Sequence, residues 1–190
     1  MNYQLFNKLM AHRPAQHPPE WRKFLEICEM QFKRFNINKP IVIEIGVFRG
    51  KQRQFWEQLF DAEYIGIDIQ EKSSSRGMVD IMGRSQDPQT LTRLKEILGG
   101  RRAHVLFIDG GHTYKETKAD FEMYAPLCTD IIAIHDIVHQ RREVGEYWKE
   151  LVRASFMEAD RYGAALFITM HQFRFGKRRR SVGTGVIIQR

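Results

Sequence analysis

Short apolar runs alternate with segments of helical periodicity along most of the chain. The runs are nearly continuous and rich in β-branched residues, which is typical of parallel strands buried on both faces. Segments between them carry apolar residues at the spacing of one helix face. This order of strands and helices predicts a doubly wound α/β sheet. The predicted strands are Ile41–Val47, Tyr64–Ile69, Gly77–Met82, Ala103–Asp109 and Thr129–Ile137.

Both ends of the chain depart from this alternation. Ala164–Phe173 and Val182–Ile188 are two further strands with no helical segment between them, so we expect an antiparallel hairpin at the sheet edge. Residues 1–38 are predicted to form a helical cap, and 39–190 one domain that is a single compact unit with the cap. Aromatic residues recur at helical spacing over Glu20–Phe35. This helix covers a sheet edge or, as an alternative, forms a lid or a homodimer surface.

A glycine-containing loop follows the first strand, in the pattern Glu44-x-Gly46-x-x-x-Gly50. Glycines at such a junction let backbone amides approach a ligand, although a tight turn without any ligand explains them too. Asp68 lies 22 residues after Gly46, at the end of the second strand. An acid in that position can accept both ribose hydroxyls of an adenosine ligand. The pair of loop and acid therefore predicts a nucleoside site.

Two carboxylates and two imidazoles follow the fourth and fifth strands: Asp109, His112, His135 and Asp136. The carboxyl ends of neighbouring parallel strands meet at one edge of a sheet, so we expect these side chains to lie together. They offer ligands for a cation and an imidazole for proton transfer.

The loop Gly83–Pro88 has two interpretations. Ser85 or Asp87 caps the helix that follows, or Ser85 and Gln86 bind a purine edge. The residues taken alone favour capping.

Charge and cysteine usage narrow the function classes only slightly. The 190 residues carry a formal net charge of +7, which favours acidic partners such as nucleic acid or anionic metabolites. The basic run Lys177–Arg180 is a solvated turn or a phosphate-contacting patch.

No apolar run approaches the roughly 18 residues of a membrane span, and the first residues lack the apolar core of a secretory signal. Cys28 and Cys128 form no motif, so we expect free thiols and a cytoplasmic protein.

Five sequence blocks, in this order, carry a family resemblance: EIGVFRG, YIGIDI, MGRSQD, FIDGGHTY and IHDI. On these blocks the chain resembles class I S-adenosylmethionine-dependent methyltransferases. It is most similar to their metal-dependent small-molecule O-methyltransferase branch, which includes catechol, macrolide-sugar and cephalosporin-hydroxylase-like families. The resemblance runs from Ile41 to Leu151 and, more weakly, through 183–186. It implies a Rossmann-like, seven-stranded, mostly parallel sheet with a C-terminal antiparallel hairpin.

The resemblance also implies a role for each matching residue. His112 matches the catalytic base, and Asp109 and Asp136 match the two metal-binding carboxylates. Ser85 and Gln86 match the adenine contact, which raises that interpretation above capping. The implied cofactor-binding residues are Glu44, Gly46, Gly50, Asp68, Ser85, Gln86 and Asp109. The implied cofactors are S-adenosylmethionine and a divalent metal, Mg²⁺ or Mn²⁺.

His135 departs from the family pattern, because the residue before the second carboxylate is often acidic. As a metal ligand beside Asp109 and Asp136, an imidazole shifts the preference from Mg²⁺ or Ca²⁺ toward Mn²⁺, Fe²⁺ or Zn²⁺. Alternatively His135 contacts substrate, or no metal binds and His112 and His135 share the acid–base chemistry.

The function that follows is methyl transfer to a hydroxyl of a small molecule, although related proteins also carry a hydroxylase label. One alternative is a methyltransferase acting on nucleic acid or protein. Against it, the Asn/Asp-Pro-Pro-Tyr motif of many DNA methyltransferases is replaced by Asp109-Gly110-Gly111-His112. Another alternative is a catalytically inactive protein that binds S-adenosylmethionine. The acceptor is not identified by the sequence.

Overall fold

The computed structural model describes residues 1–73, 76–138, 143–157, 165–173 and 181–189. Seven strands form one sheet in the order β3-β2-β1-β4-β5-β7-β6. The strands are β1 (Ile41–Ile45), β2 (Glu63–Asp68), β3 (Ile81–Met82), β4 (Ala103–Ile108), β5 (Cys128–Ile134), β6 (Leu166–Phe173) and β7 (Ser181–Ile188). β1 to β5 pair in parallel, and β7 lies antiparallel between β5 and β6. The predicted doubly wound sheet with an antiparallel C-terminal hairpin is confirmed.

Six α-helices flank the sheet within the described residues. They are α1 (Tyr3–Met10), α2 (Pro18–Arg34), α3 (Arg53–Phe60), α4 (Pro88–Leu98), α5 (Tyr114–Tyr124) and α6 (Val144–Met157), and a short 3₁₀ turn covers Ala125–Leu127. Local signals mark the ends of α4 and the start of α5. Asp87 rather than Ser85 caps α4 by accepting a hydrogen bond from the backbone of Gln89, and Gly99 ends it in a left-handed conformation. Thr113 caps α5 through the backbone N–H of Glu116.

Among the parallel strands, β1, β3 and β5 are shorter than predicted by two residues or more, because the backbone turns earlier. Gly46 (φ 94°) and Asp136 (φ 61°) adopt left-handed conformations, so β1 and β5 stop before them. The predicted third strand contains Gly77 at φ 74° and reduces to two paired residues. Asp80 directly precedes these two residues, and its carboxylate accepts a hydrogen bond from the N–H of Gly66 at 2.7 Å. In a longer strand, a backbone carbonyl would make this contact.

Alternate residues along the strands pack into two hydrophobic layers. One layer joins the sheet to side chains of α4, α5 and α6, including Leu94, Tyr124 and Trp148. The other joins it to α1, α2 and α3. Cys28 and Cys128 are both buried free thiols, as expected. No helix in the described part of the chain combines the length and apolar character that a membrane span requires.

Trp21 is at the centre of the second layer. Its ring meets Phe55, Trp56 and Phe107 edge-on, with centroids 5.8, 5.7 and 5.5 Å apart, and it is 2% exposed. The aromatic face of α2 is therefore used inside the chain and is not a free dimer surface. A homodimer and a domain boundary at residue 38 both stay predictions.

Replacing Trp21 by Ala should lower the free energy of unfolding by about 3–5 kcal/mol, because it removes a large buried ring from a closely packed cluster. Denaturant unfolding followed by fluorescence and circular dichroism measures this. If residues 1–38 and 39–190 fold as one unit, both probes should give one shared transition. Met30→Ala is the control on the same helix, and since Met30 is 56% exposed its effect should stay within about 0.5 kcal/mol. A separate early transition of the helices would contradict the single unit.

Candidate functional site

A cavity of about 640 Å³ opens at the carboxyl ends of β1, β2, β4 and β5. This volume lies within the range of small-molecule sites. The residues in its wall come from loops that are far apart in sequence. The structure brings together, in the lining, the predicted residues Gly46, Asp68, Ser85, Gln86, Asp109, His112, His135 and Asp136. Glu44 and Gly50 are not part of this lining.

Gly46 lets the loop after β1 lie against the loop after β4. A Cβ at this position would lie 2.2 Å from the carbonyl oxygen of Asp109, and the φ of 94° is one that other residues rarely adopt. The N–H of Gly46 donates to the oxygen of Ile67, and that of Asp109 donates to the oxygen of Ile45. The glycine is therefore required by backbone contact within the protein, a reason that the sequence pattern did not reveal.

Asp68 connects β2 to the same loop. Its carboxylate accepts hydrogen bonds from the backbone N–H groups of Phe48 at 2.8 Å and of Gln70 at 3.1 Å. Phe48 has a φ of 50°, and the ammonium of Lys72 lies 3.9 Å from the centroid of its ring. Asp68 thus both lines the cavity and holds the loop that follows β1, and its role as a ribose-binding acid stays a prediction.

Glu44 is completely buried and faces Tyr64 instead of the cavity. The Tyr64 hydroxyl donates to Oε2 of Glu44, and Oε1 has no hydrogen-bond partner among the described residues. Burial raises the pKa of Glu44 to about 8, against the hydrogen bond from Tyr64, and repulsion by Asp109 and Asp68 adds to the increase. The carboxyl group is therefore mainly protonated at neutral pH. Its role as a cofactor ligand stays a prediction.

Ser85 and Gln86 are held by two residues of α5 that the sequence analysis did not identify. The side-chain amide of Gln86 donates to Asp120 at 2.8 Å and to Ser85 Oγ at 2.9 Å. The Tyr124 hydroxyl donates to the carbonyl oxygen of Ser85 at 2.6 Å. Burial raises the pKa of Asp120 to about 6, although hydrogen bonds from Ser85 and Gln86 oppose the rise. The sequence does contain a signal that could have identified Asp120, because it is an acidic residue on the inward face of the amphipathic helix α5.

Asp109 is held on both oxygens by neighbouring side chains. One oxygen accepts a hydrogen bond from the side-chain amide of Gln16 at 2.8 Å, and the other lies 3.1 Å from Nδ1 of His135. The same His135 nitrogen is 3.6 Å from Asp136. Burial alone would raise the pKa of Asp109, but His135, the amide of Gln16 and His112 together hold it below its usual value.

Three residues of this rim have the geometry of a cation site. Ligand atoms of Asp109, His112 and Asp136 all lie within 4.8 Å of one another. Two carboxylates and one imidazole are a donor set that suits Mn²⁺ and similar divalent metals. The residues present therefore fit a divalent metal. His112, predicted as the base, is among these three donors, whereas His135, predicted as a ligand, lies against both carboxylates.

The connector between α1 and α2 also reaches the cavity. Ala15 and Gln16 line it, and Gln16 is buried. The ammonium of Lys51 donates to the carbonyl oxygens of His12 and Arg13, which fixes the connector beside the loop after β1. Gln16 is not among the predicted site residues, because nothing in this proline-rich stretch of sequence indicates a contact with Asp109. The run Lys177–Arg180 lies outside the described residues.

Comparison with known protein sequences gives one partial match. No protein-family model matches the chain. The mitochondrial rRNA methyltransferase 2 of Schizosaccharomyces pombe is 36% identical over 80 residues, which are 40% of this chain and 37% of that protein. The chain thus spans well under half of this relative.

Two solved structures are similar over nearly the whole chain. The O-methyltransferase TomG of Streptomyces achromogenes, in complex with S-adenosylmethionine, has a TM-score of 0.62 at 16% identity, over 97% of this chain and 89% of TomG. The MycE methyltransferase of the mycinamycin pathway, in complex with Mg, S-adenosylhomocysteine and mycinamycin VI, also has a TM-score of 0.62 at 16% identity. That match covers 95% of this chain and about half, 53%, of MycE. At this identity the likeness shows the fold alone, and it confirms the expected Rossmann-like sheet.

Replacing Glu44 by Gln should make the stability less dependent on pH. The pKa of Glu44 is about 8 in the folded protein and near 4.5 when unfolded, so the folded state binds the extra proton between these values. The contribution of Glu44 to the free energy of unfolding is fully present below about pH 4.5 and is lost as the pH rises to about 8. Thermal unfolding between about pH 6.5 and pH 8.5 should show the wild type losing more stability than Glu44→Gln. Parallel curves would contradict a raised pKa.

Proposed function

We propose that this protein is an S-adenosylmethionine-dependent methyltransferase that transfers a methyl group to a hydroxyl of a small molecule, with the help of a divalent metal. One observation carries the proposal. A single cavity holds both the residues suited to an adenosyl cofactor and the carboxylate–imidazole cluster suited to a cation. The two halves share a wall where Gly46 contacts Asp109.

The cofactor half has a polar contact for each end of a nucleoside. Asp68 would accept the ribose hydroxyls, since it lines the cavity at the end of β2. Ser85 and Gln86 would contact the adenine ring. The loop from Gly46 to Gly50 would lie along the methionine part, where its backbone can come close to the ligand.

The reactive half has groups to hold an acceptor and to remove its proton. When bound, S-adenosylmethionine supplies an activated methyl group, and a divalent cation supplies positive charge that favours ionisation of a hydroxyl. Asp109 and Asp136 would hold the cation. His112 would serve as the base and not as a third ligand, and its ring nitrogen, within 4.8 Å of a ligand oxygen of each carboxylate, would accept the proton of a hydroxyl bound beside the cation. Gln16 and His135 fix the orientation of Asp109.

His135 gives this site a different metal preference from one built of carboxylates alone. An imidazole lowers the negative charge around the cation and suits Mn²⁺ better than Mg²⁺. Its Nδ1 lies 3.1 Å from Asp109 and 3.6 Å from Asp136, so His135 would influence the binding of a cation through these two carboxylates. Mn²⁺ is therefore the metal we would test first.

A methyltransferase acting on RNA is the second candidate. The partial match to a mitochondrial rRNA methyltransferase and the net charge of +7 favour it. Binding to an oligonucleotide that weakens steeply with salt would support this candidate, because phosphate contacts release counterions. A protein that binds S-adenosylhomocysteine but shows no metal effect and no transfer would be a cofactor-binding protein without catalysis.

Replacing Asp68 by Asn should weaken the binding of S-adenosylhomocysteine by about tenfold or more, because hydrogen bonds to a charged carboxylate exceed those to a neutral amide. Isothermal titration calorimetry measures the dissociation constant. Asp61→Asn is the matched control, since Asp61 ends α3 in a left-handed conformation that Asn also adopts and does not line the cavity. If the wild type binds no S-adenosylhomocysteine, the methyltransferase proposal fails.

Replacing Asp136 by Asn should lower the affinity for Mn²⁺ by about tenfold or more. Even the loss of a residue that only supports a metal ligand typically lowers the affinity for the metal by about tenfold. Calorimetric titration with Mn²⁺ and Mg²⁺ measures it. Glu122→Gln serves as control, because it removes an exposed carboxylate from α5. His135→Glu should raise the affinity for Mg²⁺ relative to Mn²⁺. Unchanged Mn²⁺ binding in Asp136→Asn would exclude this metal site.

A further inference from the structure

Asp120 is a buried acid that has no part in the reaction as described above. It lies on α5, is 0% exposed and does not line the cavity. Burying a carboxylate is costly unless hydrogen bonds compensate for lost water. One of its compensating contacts is Gln86, whose Nε2 donates to Oδ1 of Asp120 at 2.8 Å. Gln86 does line the cavity, so Asp120 acts on the cavity through its neighbour.

The contacts of Gln86 determine which end of its amide faces the cavity. A glutamine amide has two N–H donors and one carbonyl acceptor. The nitrogen of Gln86 donates to Asp120 at 2.8 Å and to Ser85 Oγ at 2.9 Å. An ionised carboxylate can only accept, so the nitrogen must point toward Asp120. The carbonyl oxygen of Gln86 is then the group left to meet a ligand.

A second contact holds the same segment against α5. Tyr124 lies one helical turn after Asp120 on the same buried face, and its hydroxyl donates to the carbonyl oxygen of Ser85 at 2.6 Å. The backbone of Ser85 and the side chain of Gln86 are therefore fixed by neighbouring residues of one helix. This arrangement restricts the rotation of the Gln86 amide.

We propose that Asp120 is a positioning residue that sets Gln86 to accept a hydrogen bond, and thereby selects a cofactor purine with an amino group at C6 over one with an oxygen there. This inference rests on the proposed function, because it assumes an adenosyl cofactor in the cavity. The 6-amino group of adenine can donate to Oε1 of Gln86. The 6-oxygen of hypoxanthine would instead face another acceptor, and a site with an unmatched polar group rejects such a ligand.

The test compares S-adenosylhomocysteine with S-inosylhomocysteine, which differs in carrying oxygen at C6. Calorimetry at about pH 7.5 keeps Asp120 ionised. The wild type should bind the adenosyl compound about tenfold more tightly or better. Asp120→Asn preserves size but lets the Gln86 amide turn either way, so this preference should fall by about fivefold, mainly through tighter binding of the inosyl compound. Glu122→Gln, on the same helix, should leave it unchanged.

A double variant shows whether Asp120 acts through Gln86. Gln86→Met removes the amide and should itself reduce the preference. Adding Asp120→Asn to Gln86→Met should then change the preference no further, whereas independent effects would add.

Equal weakening of both compounds by Asp120→Asn would indicate structural support only and overturn the proposal. If Asp120→Asn leaves the preference for the adenosyl compound unchanged, the proposal for Asp120 is also overturned, but the proposed methyltransferase function is not affected. A wild type that binds neither compound would overturn both.

Discussion

The contact between Gly46 and the backbone of Asp109 is the constraint on which the rest of the cavity depends. These two residues follow neighbouring parallel strands, and a Cβ on Gly46 would lie 2.2 Å from the Asp109 carbonyl oxygen. Because no side chain separates the loops, the proposed nucleoside side and the carboxylate side of the cavity share one wall. A wider separation would place them in different pockets, and an in-line transfer between two bound molecules needs them side by side.

Acids in and beside this cavity differ in charge because their surroundings differ. Glu44 is buried against Tyr64, and its pKa of about 8 leaves it mainly neutral at pH 7. Asp109 is also enclosed, but His135, Gln16 and His112 favour its ionised form. A neutral acid below the glycine loop and an ionised acid at the rim limit repulsion between them, while keeping negative charge where a cation would be held.

The connector between α1 and α2 links the N-terminal helices to the reactive side of the cavity. Gln16 binds Asp109 directly, and Lys51 holds the connector through the carbonyl oxygens of His12 and Arg13. Trp21, just beyond the connector, packs into the aromatic layer on the sheet. This path of contacts connects the N-terminal helices to Asp109, one of the two carboxylates proposed to hold the cation.

The sequence by itself determined which segments form strands and which residues follow them, but not where each strand ends. Uninterrupted β-branched runs and end signals such as Asp87 and Gly99 are local properties, so their structures follow from a few neighbouring residues. Asp109, His112, His135 and Asp136 could be placed at one rim because neighbouring parallel strands end at the same edge of a sheet. Only the tertiary structure decided which side chains meet there. Gln16 meets Asp109 across 93 positions and Asp120 meets Gln86 across 34, and such contacts depend on how the elements pack. The early ends of β1 and β5 depend on left-handed backbone at Gly46 and Asp136, and the apolar pattern of the strands carries no sign of it.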